Sequence, residues 1–286
     1  MAHAPHLRRL WIGIDFPMLQ CTDWSKLTHL SVYPYIQGVN LDDIMVILSM
    51  SPNFGLFNLE GVFEADTLLR PLFLTKLRRL TISNHFTGSP AITNRFLDLF
   101  TVAVLQEFSL VEGRSWAHDS WPTVYPSIGD LFLRSSCPLL KLSIEISYNG
   151  FRLPEGHARS MLGLLRSMTD LGELTLLNGD LLNALSVISP TSDVICPSLT
   201  RIRFRDAYSA FSAEKALVDF LSVRSPPPLC PVTPLGVVLD DPRPHLPSRL
   251  AQFGQKIQFR PSYRISNMQD FQTRGRLELR GWEDMT

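Results

Sequence analysis

Residues 137–144 read CPLLKLSI and residues 196–204 read CPSLTRIRF. Each opens with Cys-Pro, passes through a leucine, two residues and an aliphatic side chain, and closes on an apolar residue. The two cysteines lie 59 positions apart. The underlying phrase, Leu-x-x-Leu-x-Leu with apolar substitutes, recurs well beyond these two stretches. Its copies are Leu7-Leu10-Ile12, Leu27-Leu30-Val32, Phe54-Phe57-Leu59, Leu77-Leu80-Ile82, Leu105-Phe108-Leu110, Leu139-Leu142-Ile144, Leu171-Leu174-Leu176 and Leu199-Ile202-Phe204. Successive copies begin 20, 27, 23, 28, 34, 32 and 28 residues apart. A period of roughly 20–29 residues is the mark of leucine-rich repeats, so the cysteine separation corresponds to two periods.

Helical spacing fills the intervals. Leu41, Ile44, Met45 and Leu48 fall at i, i+3, i+4 and i+7, with Asn40 placed to cap them, Asp42 and Asp43 in the first turn, and Pro52 barring continuation. Met161, Leu164, Leu165 and Met168 repeat that spacing; Ile92, Phe96, Leu99 and Phe100 follow a similar one. A further helix is expected over 212–223, burying Leu217, Phe220 and Leu221. Short strands alternating with helices at a constant period predict parallel strands on the inner wall of a curved coil. The expected fold is therefore α/β: a leucine-rich-repeat solenoid with a curved parallel sheet inside and helices outside. About eight coils occupy residues 1–224. Residues 225–286, opening with the proline-rich SPPPLCPVTP, form an irregular C-terminal coil, cap and tail that includes the apolar run LGVVLDD and a last strand at KIQF. Cys137 and Cys196 read as equivalent corner residues packed inside the coil. Two coils of separation place them too far apart for a mutual disulfide.

The totals exclude several classes. Lys+Arg and Asp+Glu number 27 each, and the sequence pI is about 7.1 with a mean hydropathy of +0.06. No global basic field points to nucleic acid or an anionic membrane. The N-terminal MAHAPHLRRLWIGIDF lacks the apolar core of a secretory signal, and IMVILSM is too short to span a bilayer. The four cysteines are widely spaced and no Asn-x-Ser/Thr occurs, which suits a reduced cytoplasmic or nuclear setting. No phosphate loop, Gly-x-Gly-x-x-Gly, His-Glu-x-x-His or Gly-x-Ser-x-Gly is present. His118-Asp119 resembles a base and its orienter, yet no nucleophile is fixed beside it. The expectation is no catalytic residue, no metal and no cofactor.

Alternation along each strand sends the second and third apolar positions inward and leaves their neighbours on the concave face. One column there reads Trp11, Ser31, Asn58, Thr81, Ser109, Ser143, Thr175, Arg203. Two residues earlier runs Arg9, His29, Leu56, Arg79, Glu107, Lys141, Glu173, Arg201, whose charges alternate in sign from Arg79 onward. With strands about 4.8 Å apart, those five residues can form an ion ladder. The stretch RIRFRD puts Arg201, Arg203 and Arg205 in a row on the same side, suited to an acidic partner. A second candidate is GRSWAHDSWP, within the connection from Val111 to Pro126: Trp116, His118, Asp119 and Trp121 either form a binding lip or fold back over the coil edge. Tyr33, Asn58 and Glu60 complete the candidate partner-binding residues.

Taken together, KLTHLSV, LDDIMVILSMSPNF, LTKLRRLTIS, FLDLFTVAVLQEFSL, FLRSSCPLLKLSI and ICPSLTRIRF resemble the repeat region of mushroom-type fungal F-box proteins, over most of residues 5–260. The resemblance implies repeats that present a protein substrate to a cullin–RING ubiquitin ligase, with the adaptor subunit docking on an F-box. The F-box, which opens around Leu-Pro-x-Glu, is absent from this sequence, so an adaptor is expected as partner only with an F-box upstream of Met1. The first repeat begins at Leu7, leaving no room for a polar cap. Either an upstream segment or a partner is expected to cover that end. The usual Asn or Cys at the ninth repeat position is also replaced, by Asp15, Tyr35, Val62, His85, Gly113, Ser147, Gly179 and Ala207. The alternative is a stand-alone leucine-rich-repeat scaffold or inhibitor with no ligase role. In both readings the partner is a protein of unknown identity.

Overall fold

A computed structural model describes residues 8–12, 24–33, 39–61, 63–64, 71–84, 90–112, 124–146, 157–176, 196–204, 236–240 and 257–260. In chain order the elements are β1 (Arg9–Ile12), β2 (His29–Val32), β3 (Val39–Asn40), α1 (Leu41–Ser49), β4 (Leu56–Glu60), β5 (Phe63–Glu64), β6 (Leu72–Phe73), β7 (Arg79–Asn84), α2 (Pro90–Asp98), β8 (Phe100–Thr101) and β9 (Glu107–Glu112). There follow α3 (Val124–Ser135), β10 (Lys141–Ile146), α4 (His157–Arg166), β11 (Glu173–Leu176), β12 (Arg201–Phe204), β13 (Gly236–Asp240) and β14 (Ile257–Arg260).

Ten strands make one sheet in the order β1-β2-β4-β7-β9-β10-β11-β12-β13-β14, every neighbour parallel. Spatial order follows chain order, so each strand lies against the one from the preceding repeat. The eight sequence copies pair in the register that their leucines predict: Arg9 with His29, His29 with Leu56, Leu56 with Arg79, and so on to Glu173 with Arg201. Strands β13 and β14 continue the same sheet on the far side of residue 225, pairing Arg201 with Gly236 and Val237 with Ile257. Two shorter parallel pairs, β3 with β5 and β6 with β8, flank it.

One face of the sheet is the core. Leu30, Val32, Phe57, Leu59, Leu80, Ile82, Phe108, Leu110, Leu142, Ile144, Leu174, Leu176 and Ile202 are all buried. The helices close this face: Phe96 of α2 meets Phe57 at a ring separation of 6.4 Å, and Phe132 of α3 meets Phe108 edge-on at 5.5 Å. A fully buried leucine or phenylalanine contributes about 1.5–3 kcal/mol relative to exposure. The repeated leucines are thus the main source of order. Helix α1 starts just after Asn40 and buries Leu41, Ile44, Met45, Ile47 and Leu48, as its spacing predicts. Helix α2 ends at Asp98, so Leu99 and Phe100, read as helical, lie beyond it; Leu99 N–H turns back onto Phe96 O at 3.2 Å and Phe100 opens β8.

The corners follow a fixed bonding rule. In seven cases among the described residues, the carbonyl just before a strand accepts two N–H groups from the start of the next strand in the sheet: Arg8 O from Thr28 and His29, Thr28 O from Gly55 and Leu56, Gly55 O from Arg78 and Arg79. Arg78, Gln106, Leu140 and Gly172 continue the series. Ahead of it, a three-residue turn bonds Leu27 N–H to Trp24 O, Phe54 to Ser51, Leu77 to Leu74, Leu105 to Val102 and Leu199 to Cys196. These bonds satisfy backbone polar groups that burial would otherwise penalise.

Two further sequence readings need correction. Cys137 and Cys196 are not equivalent. Counting back from Leu139 and Leu199, the partner of Cys196 is Ser136, and these two alone among the described non-glycine residues have positive φ, 47° and 48°. Cys137 stands one residue further on, half-buried, whereas Cys196 is buried and donates from Sγ to Leu165 O at 3.2 Å. The shared Cys-Pro is offset by the extra Ser198. The second correction concerns the connection from Val111 to Pro126, read as a loop, whose last residues belong to α3. Pro126 is the third residue of that helix, where its missing N–H has no intrahelical partner to lose.

Candidate functional site: the open face of the sheet

Opposite the helices, the alternate residues of the same strands form a polar face. Arg79, Glu107, Lys141, Glu173 and Arg201 occupy paired positions on five adjacent strands. Their charges join into a continuous ladder: Arg79 Nε to Glu107 Oε2 at 2.5 Å, Lys141 Nζ to Glu107 Oε1 at 3.6 Å, Lys141 Nζ to Glu173 Oε2 at 3.7 Å, and Arg201 Nη1 to Glu173 Oε1 at 3.8 Å. Side chains half open to water, such as Arg79 and Lys141, limit each pair to about 0.2–1 kcal/mol. The ladder therefore adds little to the stability of the fold and leaves a row of alternating charge on this face.

Glu107 is its pivot. Partial burial raises the carboxyl pKa, but the hydrogen bond and charge of Arg79 and the charge of Lys141 outweigh that, leaving it below the ordinary glutamate range. His29, in the same register column, is shifted downward by burial and then by the positive charges of Arg9 and Arg79. Its Nδ1 lies 2.7 Å from Thr28 Oγ1.

Two residues further along each strand, small hydroxyl and amide side chains dominate. Asn58 donates to Ser31 Oγ at 3.1 Å, tying β4 to β2. Ser143 donates to Glu145 Oε1 at 2.9 Å. Glu145 keeps only 7% of its surface exposed, although its alternation with Leu142 and Ile144 puts it on the polar face. The sequence pattern shows its face and gives no signal of its burial.

The candidate residues separate into two groups. Asn58, Glu60 and Tyr33 stand near the β2–β4 end, with Tyr33 following the Val32 that pairs with Leu59. Exposed Trp11, directly across from Ser31, joins that group and was legible from its column. Arg201 and Arg203 stand on β12, six strand spacings from β2 in the sheet order, roughly 29 Å at the usual strand separation. The structure brings both groups to one face and does not bring them together. Arg205, Trp116, His118, Asp119 and Trp121 lie outside the described residues, as does the helix expected over 212–223.

Among the described residues, no group of three or more His, Cys, Asp or Glu side chains is placed to hold a metal ion, and no helix is long and apolar enough to cross a membrane. What the face offers is a broad array of fixed charges and hydrogen-bonding groups. Compared with protein-family models, curated proteins and solved structures, the sequence finds no match.

Proposed function

We propose that the chain is a leucine-rich-repeat solenoid whose open face binds a protein, acting in the cytoplasm or nucleus as the substrate-recognition part of an F-box-type ubiquitin-ligase receptor. The observation that carries the binding role is the ladder from Arg79 to Arg201 beside a column of small polar side chains, on the sheet face opposite the described helices. Such a surface offers alternating charges and hydrogen-bonding groups that a partner of complementary charge can meet. The solenoid reading is supported by strands stacking in chain order and by corner bonds that recur with the sequence repeat. Support for the ligase role is the resemblance of the repeats to those of mushroom-type F-box proteins. Binding and presentation are the proposed chemistry, with ubiquitin transfer left to other subunits.

Two measurements test this reading. The first is the transcript sequence upstream of Met1: an in-frame F-box, and co-purification of the full-length product with a cullin–RING adaptor, would support the receptor role. An F-box-free product that ignores the adaptor leaves a scaffold or inhibitor. The second compares proteins captured by the native chain and by Ser109→Arg plus Thr175→Arg, which crowd the open face. Loss of a specific partner from a variant that still folds supports the site; equal retention overturns it.

A further inference from the structure

Beside the charge ladder, two residues further along the same strands, Thr81, Ser109, Ser143 and Thr175 stand in direct register on β7, β9, β10 and β11. All four are short and partly buried. The row ends on β12, where Arg203 takes the same position. Two residues of strand separate this row from the ladder by about 6.6 Å. The open face therefore carries a ridge of long charged side chains and, next to it, a low hydroxyl-bearing floor that crosses the strands.

Along the ridge the signs alternate, positive at Arg79, Lys141 and Arg201 and negative at Glu107 and Glu173. Each charge already has an unlike neighbour, so a partner of one sign loses at every second position what it gains at the others. A partner whose own signs alternate in step gains at every position, because unlike charges then face each other and like charges meet only diagonally. Lys141 and Arg201 meet their acids at 3.6, 3.7 and 3.8 Å, longer than a hydrogen bond, and stay 50% and 41% exposed. Such side chains can add a closer ionic contact to the ones they have.

Spacing decides what kind of element stays in step. With strands about 4.8 Å apart, the five charges span about 19 Å. Five helical residues at alternating spacings of four and three share one side and span about 21 Å. In an extended segment the side chains of one face recur every 6.6 Å or so, and five of them span about 26 Å. The helix drifts by about 2 Å over the whole ladder, within the reach of long side chains. The extended segment drifts by more than one full position.

We infer that the open face seats an α-helix of a partner protein, lying across β7 to β12 on the hydroxyl floor. Its successive turns carry acid, base, acid, base and acid, facing Arg79, Glu107, Lys141, Glu173 and Arg201 in that order. The inference rests on the open-face reading above and adds to it the form and the charge order of the partner. The short side chains of the floor let a cylinder about 10–12 Å wide settle low enough for its flank to meet the ridge.

The test is fluorescence anisotropy with the full chain and a labelled peptide, Glu-Ala-Ala-Gln-Lys-Ala-Ala-Glu-Ala-Gln-Ala-Lys-Ala-Ala-Glu. Its Glu–Lys pairs four residues apart favour the helix in isolation. Saturable binding is expected, and it should be at least about tenfold weaker, the equivalent of about 1.4 kcal/mol, for the peptide with every sign exchanged and for one with glutamate at all five charged positions. Glu107→Lys plus Lys141→Glu reorders the ladder without changing its net charge. That variant should lose the first peptide by a similar factor and bind instead a peptide whose second and third charges are exchanged. Far-ultraviolet circular dichroism checks that it folds, and the peptide comparisons on the unaltered chain decide the question if it does not.

No saturable binding, equal affinity for the sign-exchanged peptide, or tighter binding of the all-glutamate peptide would each overturn the inference. So would equal binding of a proline-interrupted peptide with the same charges at alternate residues, which would make the occupant an extended segment. A dimer in sedimentation that Ser109→Arg dissociates would give the face to a second copy of the chain. If the helix fails while Ser109→Arg plus Thr175→Arg still loses its captured partner, the open-face reading stands without it.

Discussion

Glu107 and Arg79 face each other across β9 and β7 in direct register, their Oε2 and Nε atoms 2.5 Å apart. The same carboxylate reaches Lys141 on its other side at 3.6 Å. One acid thus holds a cation on each of its two flanking strands, and its removal leaves Arg79 without that partner while Lys141 keeps Glu173.

Glu107→Gln should lower the unfolding free energy by no more than about 1 kcal/mol for each of the two pairs lost. The difference should shrink at high salt, because exposed pairs are screened. Its pH dependence has a definite sign. The folded protein holds this proton less tightly than the unfolded chain does. The stabilisation is therefore complete above the ordinary glutamate range and is lost as pH falls below it through the depressed folded value. Urea midpoints for wild type and variant should converge on acidification; a gap that persists in acid would remove the ladder from the explanation.

Leu142 and Leu140 lie two residues apart in CPLLKLSI, yet one is 1% exposed and the other 44%. Leu142→Ala should cost about 2–5 kcal/mol through the cavity it opens, as should Leu174→Ala. Leu140→Ala should stay within about 0.5 kcal/mol. Chemical denaturation measures all three, and similar losses at 140 and 142 would mean that the strand register is wrong.

Arg134 binds the end of the preceding helix. Its Nη2 donates to Leu97 O at 2.9 Å and Phe100 O at 3.1 Å, satisfying carbonyls where α2 gives way to β8. Arg134→Ala should cost about 1–3 kcal/mol, with faster amide exchange in the last turn of α2. Arg134→Lys should recover only part of it, since lysine lacks the second donor, Nε, that also reaches Phe100 O at 3.4 Å. Full rescue by lysine would reduce the interaction to charge alone.

Ser136 and Cys196 share a left-handed backbone conformation that costs an L-residue about 1–2 kcal/mol. Ser136→Gly should be neutral or stabilising, and Ser136→Val clearly destabilising, in thermal unfolding. The offset between the cysteines has its own readout. In the folded protein iodoacetamide should modify half-buried Cys137, slowly because burial raises its thiol pKa, and should modify buried Cys196 only on unfolding. Peptide mapping separates the two sites, and equal labelling would contradict the offset.

The repeating leucines alone were enough to place the eight strands and their register. Each apolar position recurs with the coil, and a one-residue slip would send the whole set to the wrong face. The ladder followed from the same column, since residues paired in register on parallel strands become neighbours. Helix α3 was hidden because Pro126 and the polar stretch before it read as loop, while a proline in the first helical turn is tolerated. The Cys-Pro phrases misled for a related reason: identical words were aligned by their cysteines, whereas the fold aligns them by the leucines that enter the core.

What the sequence by itself determined is the period, the buried face and the succession of charges, all of them properties of spacing along the chain. Tertiary structure decided which residues separated in sequence meet. It put Arg134 on the end of α2, 37 residues away, and buried Glu145 on a face whose pattern is open. Those outcomes depend on how helices and strands joined by connections of unequal length pack together, which spacing along the chain does not encode.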